Sequence, residues 1–557
     1  MINFRDNFNQ FYVKKFKENK KFLVFVLILN FIYTSLYLYI FRYNYGWDTT
    51  GYIGIGNILF NSSNQNFWDI KYYYSPGYSL FLGLTGVLNF KTLFFYKFVT
   101  FLIVLIYPFF VFYILEKYDL IAAKIASILT IILFCNTIYA SDMAPHYLTH
   151  FFLIVSIFFI TRENFINNKY NQIFFSIFFI ITCFFRGTTI FLLPWFFFFS
   201  FISFYRIEKK FFSKKFFFLI IRFVVIYLII VGSYSIFRAA QFIKVEKSLE
   251  NSLFFGVTKG LGPRVIFQGF YTAGSFYLNK KDNDVIFSPN NGEASQEYFN
   301  GIKKSLEKLD YSTNPIKEFA KNSQEAYDYL IKKPSHDTWY YLGWWLMGEG
   351  FGYNLDHQDK ILKKVVIEAV KNNPELYKYL IYNLYEWFLG SSKQVYLGKG
   401  FCDIKIVGLK NCFGDETFRT WPVPTVDDPV SKIIIEQTSV NLYEKMYESS
   451  KKIYSNKFLL NFLNKFTFKI IKILELRPIL TILSLIAVII VFFNYNLRLI
   501  LLLNLSIMLS LSVLVSIVWP ASIRYWIGSY IFLIMNASIV MSIVFKKIKL
   551  ILKSNLK

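Results

Sequence analysis

Long apolar segments recur along this chain, and the first of them, Phe22 to Phe41, most constrains the fold. At a helical rise of about 1.5 Å per residue, it can cross the roughly 30 Å hydrocarbon core of a bilayer. It is too long for the apolar part of a signal peptide and lacks a small-residue cleavage site, so we expect it to remain as a helix. Since 55% of residues are hydrophobic, with a mean hydropathy of +0.39, the sequence predicts an integral membrane protein.

The formal net charge of +25 is distributed as in a membrane protein. Basic residues precede the first apolar segment, and others follow at Arg206 to Lys215 and Lys546 to Lys557. Basic loops of membrane proteins lie preferentially in the cytoplasm, so the segments before Phe22 and after Phe545 are predicted inside and Asp48 outside. The same distribution argues against a nucleic-acid partner.

Further apolar segments predict an all-α polytopic membrane protein with about 10 to 11 transmembrane helices. They lie at 76–90, 98–115, 121–140, 147–161, 173–204, 217–237, 478–494, 498–518 and 526–545. Segment 173–204 is interrupted by Arg186-Gly187 and is typical of a helical hairpin. Segment 76–90 is short and begins with Pro-Gly, and the charge rule requires one segment not to cross. We therefore expect it to be re-entrant or interfacial.

Composition divides the chain into three regions. Residues 1–237 form a predicted membrane module with an outer loop at 43–75, residues 238–456 a mostly helical external domain, and residues 457–557 an amphipathic surface helix followed by membrane helices. Cys135 and Cys183 lie in apolar segments and are expected to be packing residues. Cys402 and Cys412 lie in the external domain, where we expect a disulfide; the alternative is two buried thiols.

Charged residues from separate segments converge at the predicted outer interface. Since such charges are costly near lipid, each needs a partner or a function. Alternatives remain for three of them, because Asp48 could cap a helix and Arg186 and Arg524 could reach lipid head groups. The converging residues are Asp48, Asp69, Lys71, Asp142, His146, Arg186 and Arg524.

Two helical spacings extend this group. Tyr52 follows Asp48 by one turn, and Gly51, Gly54 and Gly56 allow another backbone or a lipid head group to approach. Asp142, His146 and His150 fall on one helix face, where carboxylate and imidazole could share a divalent cation. The alternative is that Asp142 begins the helix and His150 is a buried, hydrogen-bonded histidine.

Several short motifs carry a family resemblance. They are WDTTGY, YYYSPGY, SDMAPHYLTHFF, FFRGTTIFLLP and IRYW, together with NNPELYKYLIYNLYEW later in the chain. In this order they resemble the GT-C superfamily of polyprenyl-phosphate-dependent glycosyltransferases. The chain looks most like the bacterial branch related to the lipopolysaccharide-core and lipid A sugar transferases and the protein mannosyltransferases.

The resemblance implies a bacterial inner-membrane enzyme that transfers a sugar from a polyprenyl-phosphate donor to a glycan, glycolipid or protein acceptor on the outer, periplasmic face. Asp48 and Asp142 match the catalytic acids. A divalent cation, Mg²⁺ or Mn²⁺, on Asp48, Asp142 and His146 is a secondary expectation. Two departures are that no second acid follows Asp48 and that Lys71 stands five residues before Pro76. Residues expected to bind substrate are Tyr52, Asp69, Lys71, Arg186, Arg524 and Tyr525.

The sequence lacks motifs that several alternative functions would require. No Gly-rich nucleotide cradle appears, which argues against a soluble sugar nucleotide as donor, and there is no nucleophilic Ser elbow. A lipid-sugar transporter or flippase should contain internal repeats, which we do not find. An O-antigen-type polymerase or ligase is chemically closer but lacks the early WD and PGY loop.

Overall fold

The computed structural model of the chain describes most of the membrane region and parts of the remainder. Its described residues are 2–41, 47–61, 75–89, 94–133, 140, 144–162, 165–210, 213–246, 255–257, 288–308, 311–312, 320–332, 355–389, 395–396, 401–402, 476–518 and 523–555.

Helices dominate the described residues. The first group is α1 Ile2–Phe41, α2 Trp47–Asn61, α3 Gly77–Leu84, α4 Phe94–Glu116, α5 Leu120–Ile132, α6 His146–Ile160, α7 Lys169–Phe185, α8 Leu193–Glu208 and α9 Lys214–Glu246. The second is α10 Glu293–Leu306, α11 Ser323–Lys332, α12 Leu355–Asn372 and α13 Leu376–Phe388, followed by the short antiparallel pair β1 Val395–Tyr396 and β2 Phe401–Cys402. The last is α14 Arg477–Phe493, α15 Tyr495–Val518 and α16 Ile523–Asn555.

Six stretches of the described helices are long and apolar enough to cross a membrane. They are Glu18–Leu38, Phe94–Glu116, Gly187–Glu208, Lys214–Lys244, Leu497–Leu514 and Gly528–Ser554. Four shorter apolar helices accompany them: Leu120–Ile132, His146–Ile160, Lys169–Phe185 and Arg477–Ile490. The prediction of an all-α membrane protein is therefore confirmed at this level.

The many phenylalanines fill the space between neighbouring helices. Phe159 of α6 stacks on Phe178 of α7, with ring centroids 5.6 Å apart. On the other side of α7, Phe179 meets Phe196 of α8 edge to face at 5.2 Å. Such offset and edge-to-face pairs add to the dispersion energy of packing, which matters where lipid removes the hydrophobic driving force between helices.

A proline inside α4 is accommodated by α1. Pro108 has no N–H, so it cannot donate to the carbonyl of Val104 one turn earlier. Asn30 of α1 donates to the oxygens of Val104 at 3.0 Å and Leu105 at 2.9 Å. The side chain of one helix thus replaces the bond that the other lacks.

One end of the membrane helices, which we call the Asp119 end, is held by polar contacts between the loop before α5 and helix α16. Asp119 caps α5 by accepting from the backbone N–H groups of Ile121 and Ala122. It also accepts from Ser542 at 2.8 Å and pairs with Lys546 at 2.7 Å, both on α16. Burial acts to raise the pKa of Asp119, but its hydrogen bonds outweigh burial and hold that pKa below its ordinary value.

Two more contacts mark the Asp119 end. Lys117 donates to the carbonyl oxygen of Thr161 after α6, and Lys215 at the start of α9 donates to Asn167 before α7. These bonds bring the loop before α5, the loop between α6 and α7 and the start of α9 to one end of the helices.

The described residues of the predicted external region include the helix pair α10 and α12. Glu368 of α12 accepts hydrogen bonds from the backbone N–H groups of Ala294 and Ser295 and from the Ser295 hydroxyl, at the start of α10. Burial acts to raise the pKa of Glu368, but these bonds lower it overall. A carboxylate at a helix N-terminus also complements the helix dipole, so α12 stabilises α10.

The helix boundaries refine the sequence predictions. Segment 76–90 contains an eight-residue helix, α3, about 12 Å long and too short to cross a bilayer, as expected. The hairpin around Arg186 and the last three membrane helices also agree with prediction. By contrast, α5 ends at Ile132 rather than near residue 140, and α9 continues to Glu246, so the predicted domain boundary at 237 falls inside a helix. The predicted surface helix at 458–476 lies almost entirely outside the described residues.

Candidate functional site

Arg186 stands at the opposite end of the membrane helices, which we call the Arg186 end. It follows α7 in an extended conformation and precedes a 3-10 turn, Gly187–Leu192. The turn is fixed on both sides of the arginine. The Arg186 carbonyl oxygen accepts a hydrogen bond from the Thr189 hydroxyl at 2.7 Å. The N–H of Gly187 donates a hydrogen bond to the Ser75 hydroxyl at 2.8 Å. A half-buried guanidinium is thus presented from a defined backbone.

The Pro-Gly-Tyr segment packs directly on this turn. A Cβ on Gly77 would lie 2.6 Å from both the carbonyl carbon and the oxygen of Phe184, so only glycine fits there without backbone movement. This contact explains the motif, because it lets α3 approach the end of α7 more closely than any side chain would allow.

Tyrosines connect α3 to the helix that carries Asp48. Tyr78 is fully buried, and its hydroxyl is 2.8 Å from that of Tyr96 on α4. Its ring meets the ring of Tyr52 edge to face, with centroids 5.1 Å apart. Tyr52 itself is buried. The predicted substrate-binding tyrosine therefore packs against α3.

Helix α2 begins at Trp47, which places Asp48 in its first turn. The Asp48 side chain lies outside the described residues. Further along α2, a Cβ on Gly56 would lie 2.9 Å from Leu88 and 3.4 Å from the carbonyl oxygen of Ser79, so this glycine admits another backbone as predicted. A Cβ on Gly54 would meet no atom within 4 Å. Among the described residues there is therefore space beside α2, about 1.7 turns after Asp48.

Two histidines lie beside Arg186. His146 and His150 are both buried on one face of α6. Both rings lie within the range of a Coulomb interaction with the Arg186 guanidinium. His150 also packs against α16, where a Cβ on Gly528 would lie 2.8 Å from its Nε2 atom. Gly528 is one turn beyond Arg524, so the first turn of α16 also belongs to the Arg186 end.

The structure thus brings together five segments that are far apart in sequence. They are the start of α2, the Ser75 to Tyr78 segment, the start of α6, the turn after α7 and the start of α16. Of the predicted site residues, Arg186 and His146 lie within electrostatic range of each other, and Tyr52 packs on Tyr78 of α3. The side chains of Arg524 and Tyr525 lie outside the described residues, as do Asp69, Lys71 and Asp142 entirely.

The metal and disulfide predictions fall largely on undescribed residues. No group of three His, Cys, Asp or Glu side chains that could hold a metal occurs within the described part of the chain. Of the predicted ligands, the His146 side chain alone belongs to that part. Cys183 is buried, as expected of a packing residue. Cys135 and Cys412 lie outside the described residues, and so does the side chain of Cys402.

Two features of the site were not predicted. Ser75 precedes Pro76 in the motif, but its hydrogen bond to Gly187 joins residues 112 positions apart. The contact between His150 and Gly528 spans a still larger separation. A glycine near the start of an otherwise bulky apolar segment was the available signal for this contact, since close approach is a common reason for glycine there.

No protein-family model matches the chain, and it matches neither a curated protein nor a solved structure. What the fold shows is the general class of the protein: an all-α membrane protein with six candidate membrane-spanning helices among its described residues.

Proposed function

We propose that this chain is a glycosyltransferase with a GT-C-like fold, which transfers a sugar from a polyprenyl-phosphate donor to the hydroxyl of a glycan, glycolipid or protein acceptor. The observation that carries the proposal is the placement of Arg186. Its guanidinium is half-buried where an apolar helix ends. Helix α2, which bears Asp48, packs on the α3 segment bonded to this turn, and α16, which bears Arg524, packs on His150 nearby. A lipid phosphate lies at this depth, and a guanidinium can bind it through two parallel hydrogen bonds.

The chemistry needs a base and a cation. The bond from the anomeric carbon to the phosphate oxygen breaks, and a bond from that carbon to the acceptor oxygen forms. We assign removal of the acceptor proton to Asp48. The electron pair of the broken bond stays on the lipid phosphate, whose charge Arg186, Arg524 and Lys71 stabilise. Tyr52, Asp69 and Tyr525 are assigned to substrate binding.

A metal ion is the second form of this proposal. Asp48, Asp142 and His146 would hold Mg²⁺ or Mn²⁺, which would neutralise charge on the departing phosphate. In that form Asp142 is a ligand rather than a second catalytic acid.

The proposed location is the bacterial inner membrane, with the Arg186 end and the external residues on the periplasmic side. The basic residues gathered at the Asp119 end support this orientation. A cysteine introduced at exposed Asn290 should react with a membrane-impermeant maleimide in intact cells. One introduced at exposed Lys210 should react only after the cells are permeabilised. The reverse pattern would overturn the orientation.

The test of function is sugar transfer by the purified chain with a polyprenyl-phosphate sugar in detergent or nanodiscs. Arg186→Lys keeps the charge and loses the two-pronged geometry. Donor affinity should therefore weaken roughly tenfold or more, since a hydrogen bond to a charged group contributes about 1.5 to 3 kcal/mol. Arg162→Lys is the matched control, because Arg162 lies at the Asp119 end and donates to the carbonyl oxygen of Tyr113.

Equal donor affinity in the two variants would mean that Arg186 reaches lipid head groups and does not bind the donor phosphate. A wild-type chain that moves the lipid-linked sugar across a vesicle membrane without transferring it would instead be a transporter. Formation of long glycan chains from lipid-linked repeats would indicate a polymerase.

A further inference from the structure

Helix α13 exposes an apolar face in a region otherwise rich in charge. Tyr377, Ile381, Tyr385 and Leu389 follow one another at intervals of four, so they lie along one face of the helix, and Tyr382 lies beside them. All five are exposed, and Ile381 is 68% exposed. Exposing so many large apolar side chains on a 13-residue helix is costly in water, so this face is expected to have a partner.

The same helix is attached to the membrane helices at its C-terminal end. Leu384 and Phe388 pack against the core formed by the membrane helices. The Thr481 hydroxyl of α14 donates to the carbonyl oxygen of Phe388 at 2.9 Å. Thr481 is in the second turn of α14, so α13 meets that helix near its start.

The exposed face of α13 lies beside an exposed apolar face of α14. On either side of Thr481, Ile479 and Ile482 of α14 are more than half exposed, and the pattern continues with Leu485 and Ile489. A membrane-embedded helix with such a face contacts acyl chains. Since α13 is hydrogen-bonded beside this face through Phe388, its C-terminal end lies next to the part of α14 that acyl chains would contact.

The composition of α13 identifies which lipid layer it contacts. Tyrosine is enriched where head groups meet acyl chains, because its ring is apolar and its hydroxyl remains hydrated. Lys378 is exposed on the same helix, where its long side chain can reach a lipid phosphate. We propose that α13 is an interfacial helix, whose exposed face lies in the boundary between head groups and acyl chains of the bilayer and which thereby anchors the external residues to the membrane. This proposal does not depend on sugar transfer.

The test is spin labelling of the full chain in phospholipid vesicles, after replacement of the four native cysteines. Labels are placed at Ile381 and Tyr385, with Ile482 of α14 as the lipid reference and exposed Lys363 of α12 as the water reference. Collisions with oxygen, which partitions into lipid, are compared with collisions with a water-soluble nickel chelate. We expect the oxygen-to-nickel ratio at Ile381 and Tyr385 to approach the Ile482 value and to exceed the Lys363 value several-fold.

Two results would overturn the proposal. A ratio equal to that at Lys363 would place the face in water, and low collision rates with both reagents would mean that protein covers it. A second measurement uses the unaltered chain: a phospholipid with a photoreactive group near its glycerol should label a peptide containing residues 377–389. Labelling confined to α14, α15 and α16 would contradict the interfacial position even if a cysteine variant failed to fold.

Discussion

Asn30 donates two hydrogen bonds to α4 at the turn where Pro108 leaves a carbonyl oxygen without its backbone donor. In a bilayer this carbonyl has no water to bind, so its only compensation is another protein group. The pair therefore fixes the position of α1 against α4.

Replacing Asn30 by leucine should lower the stability of the chain. Apolar contact is retained but the carbonyl of Val104 loses its donor, at a cost of about 1 to 2 kcal/mol. In Pro108→Ala, the new N–H can donate to Val104, so Asn30→Leu should cost less in that background. A double-mutant cycle by thermal or denaturant unfolding measures the difference. Equal costs in both backgrounds would mean that Asn30 acts independently of the proline.

Two glycines near the candidate site should respond oppositely to alanine. Gly77→Ala forces a Cβ against the backbone of Phe184, so α3 must move, and we expect a loss of about 1 to 3 kcal/mol. Gly54→Ala meets no neighbour and should leave stability unchanged or slightly raised, since alanine favours helix. Unfolding temperatures of the two purified variants check this pair. Equal stability would show that α3 does not pack closely on α7.

The ion pair between Asp119 and Lys546 should make the free energy of unfolding depend on pH in the acidic range. The folded-state pKa of Asp119 lies below its ordinary value of 3.8, so its contribution is fully present above that value and is lost as the pH falls through the folded pKa. At pH 7, Asp119→Asn should cost about 1.5 to 3 kcal/mol, the contribution of a hydrogen bond to a charged group.

Unfolding of wild type and Asp119→Asn should be compared at neutral pH and at decreasing pH below the ordinary value. The gap between the two proteins should narrow in acid. A gap that stays constant would show that the carboxylate charge contributes nothing, and a gap that widens would reverse the sign of the linkage.

Asp48→Asn should abolish most sugar transfer while leaving the fold intact. Loss of a general base typically costs roughly 10²- to 10⁴-fold in rate. If Asp48 serves the helix start alone, asparagine should be nearly neutral there. Transfer rate and unfolding temperature are measured together, with Glu297→Gln on the exposed surface of α10 as the control.

Asp142→Asn separates the two forms of the mechanism. Loss of transfer in both aspartate variants, partly restored by raised Mg²⁺ or Mn²⁺, would indicate a metal site. Near-normal transfer by Asp48→Asn would end its assignment as the base.

The membrane helices could be predicted from sequence because lipid imposes long apolar segments with few breaks. The Pro-Gly pair before Tyr78 and the Arg186-Gly187 pair also marked local interruptions correctly. The end of α9 was predicted too early because the apolar segment ends near residue 237. The helix continues to Glu246, since no proline or glycine lies between these positions to stop it. The continuation of an apolar segment likewise did not indicate that α5 would stop at Ile132.

Contacts between distant segments could not be predicted in the same way. The polar partners of Asn30, Ser75 and Asp119 lie on other helices, and helical periodicity states which face is buried but not what it meets. Convergence at the Arg186 end was inferred from the charge rule alone. The roles of Asp48, Arg186 and Arg524 remain predictions.

The bond between Asp119 and Lys546 joins residues 427 positions apart, which has a consequence for biosynthesis. Helix α5 is made early, yet the charge that neutralises its buried cap is translated after nearly all the other helices. Until α16 inserts, Asp119 must remain solvated at the membrane surface or bind a different cation. A nascent chain that stops before α16 therefore leaves Asp119 without the hydroxyl of Ser542 and the charge of Lys546.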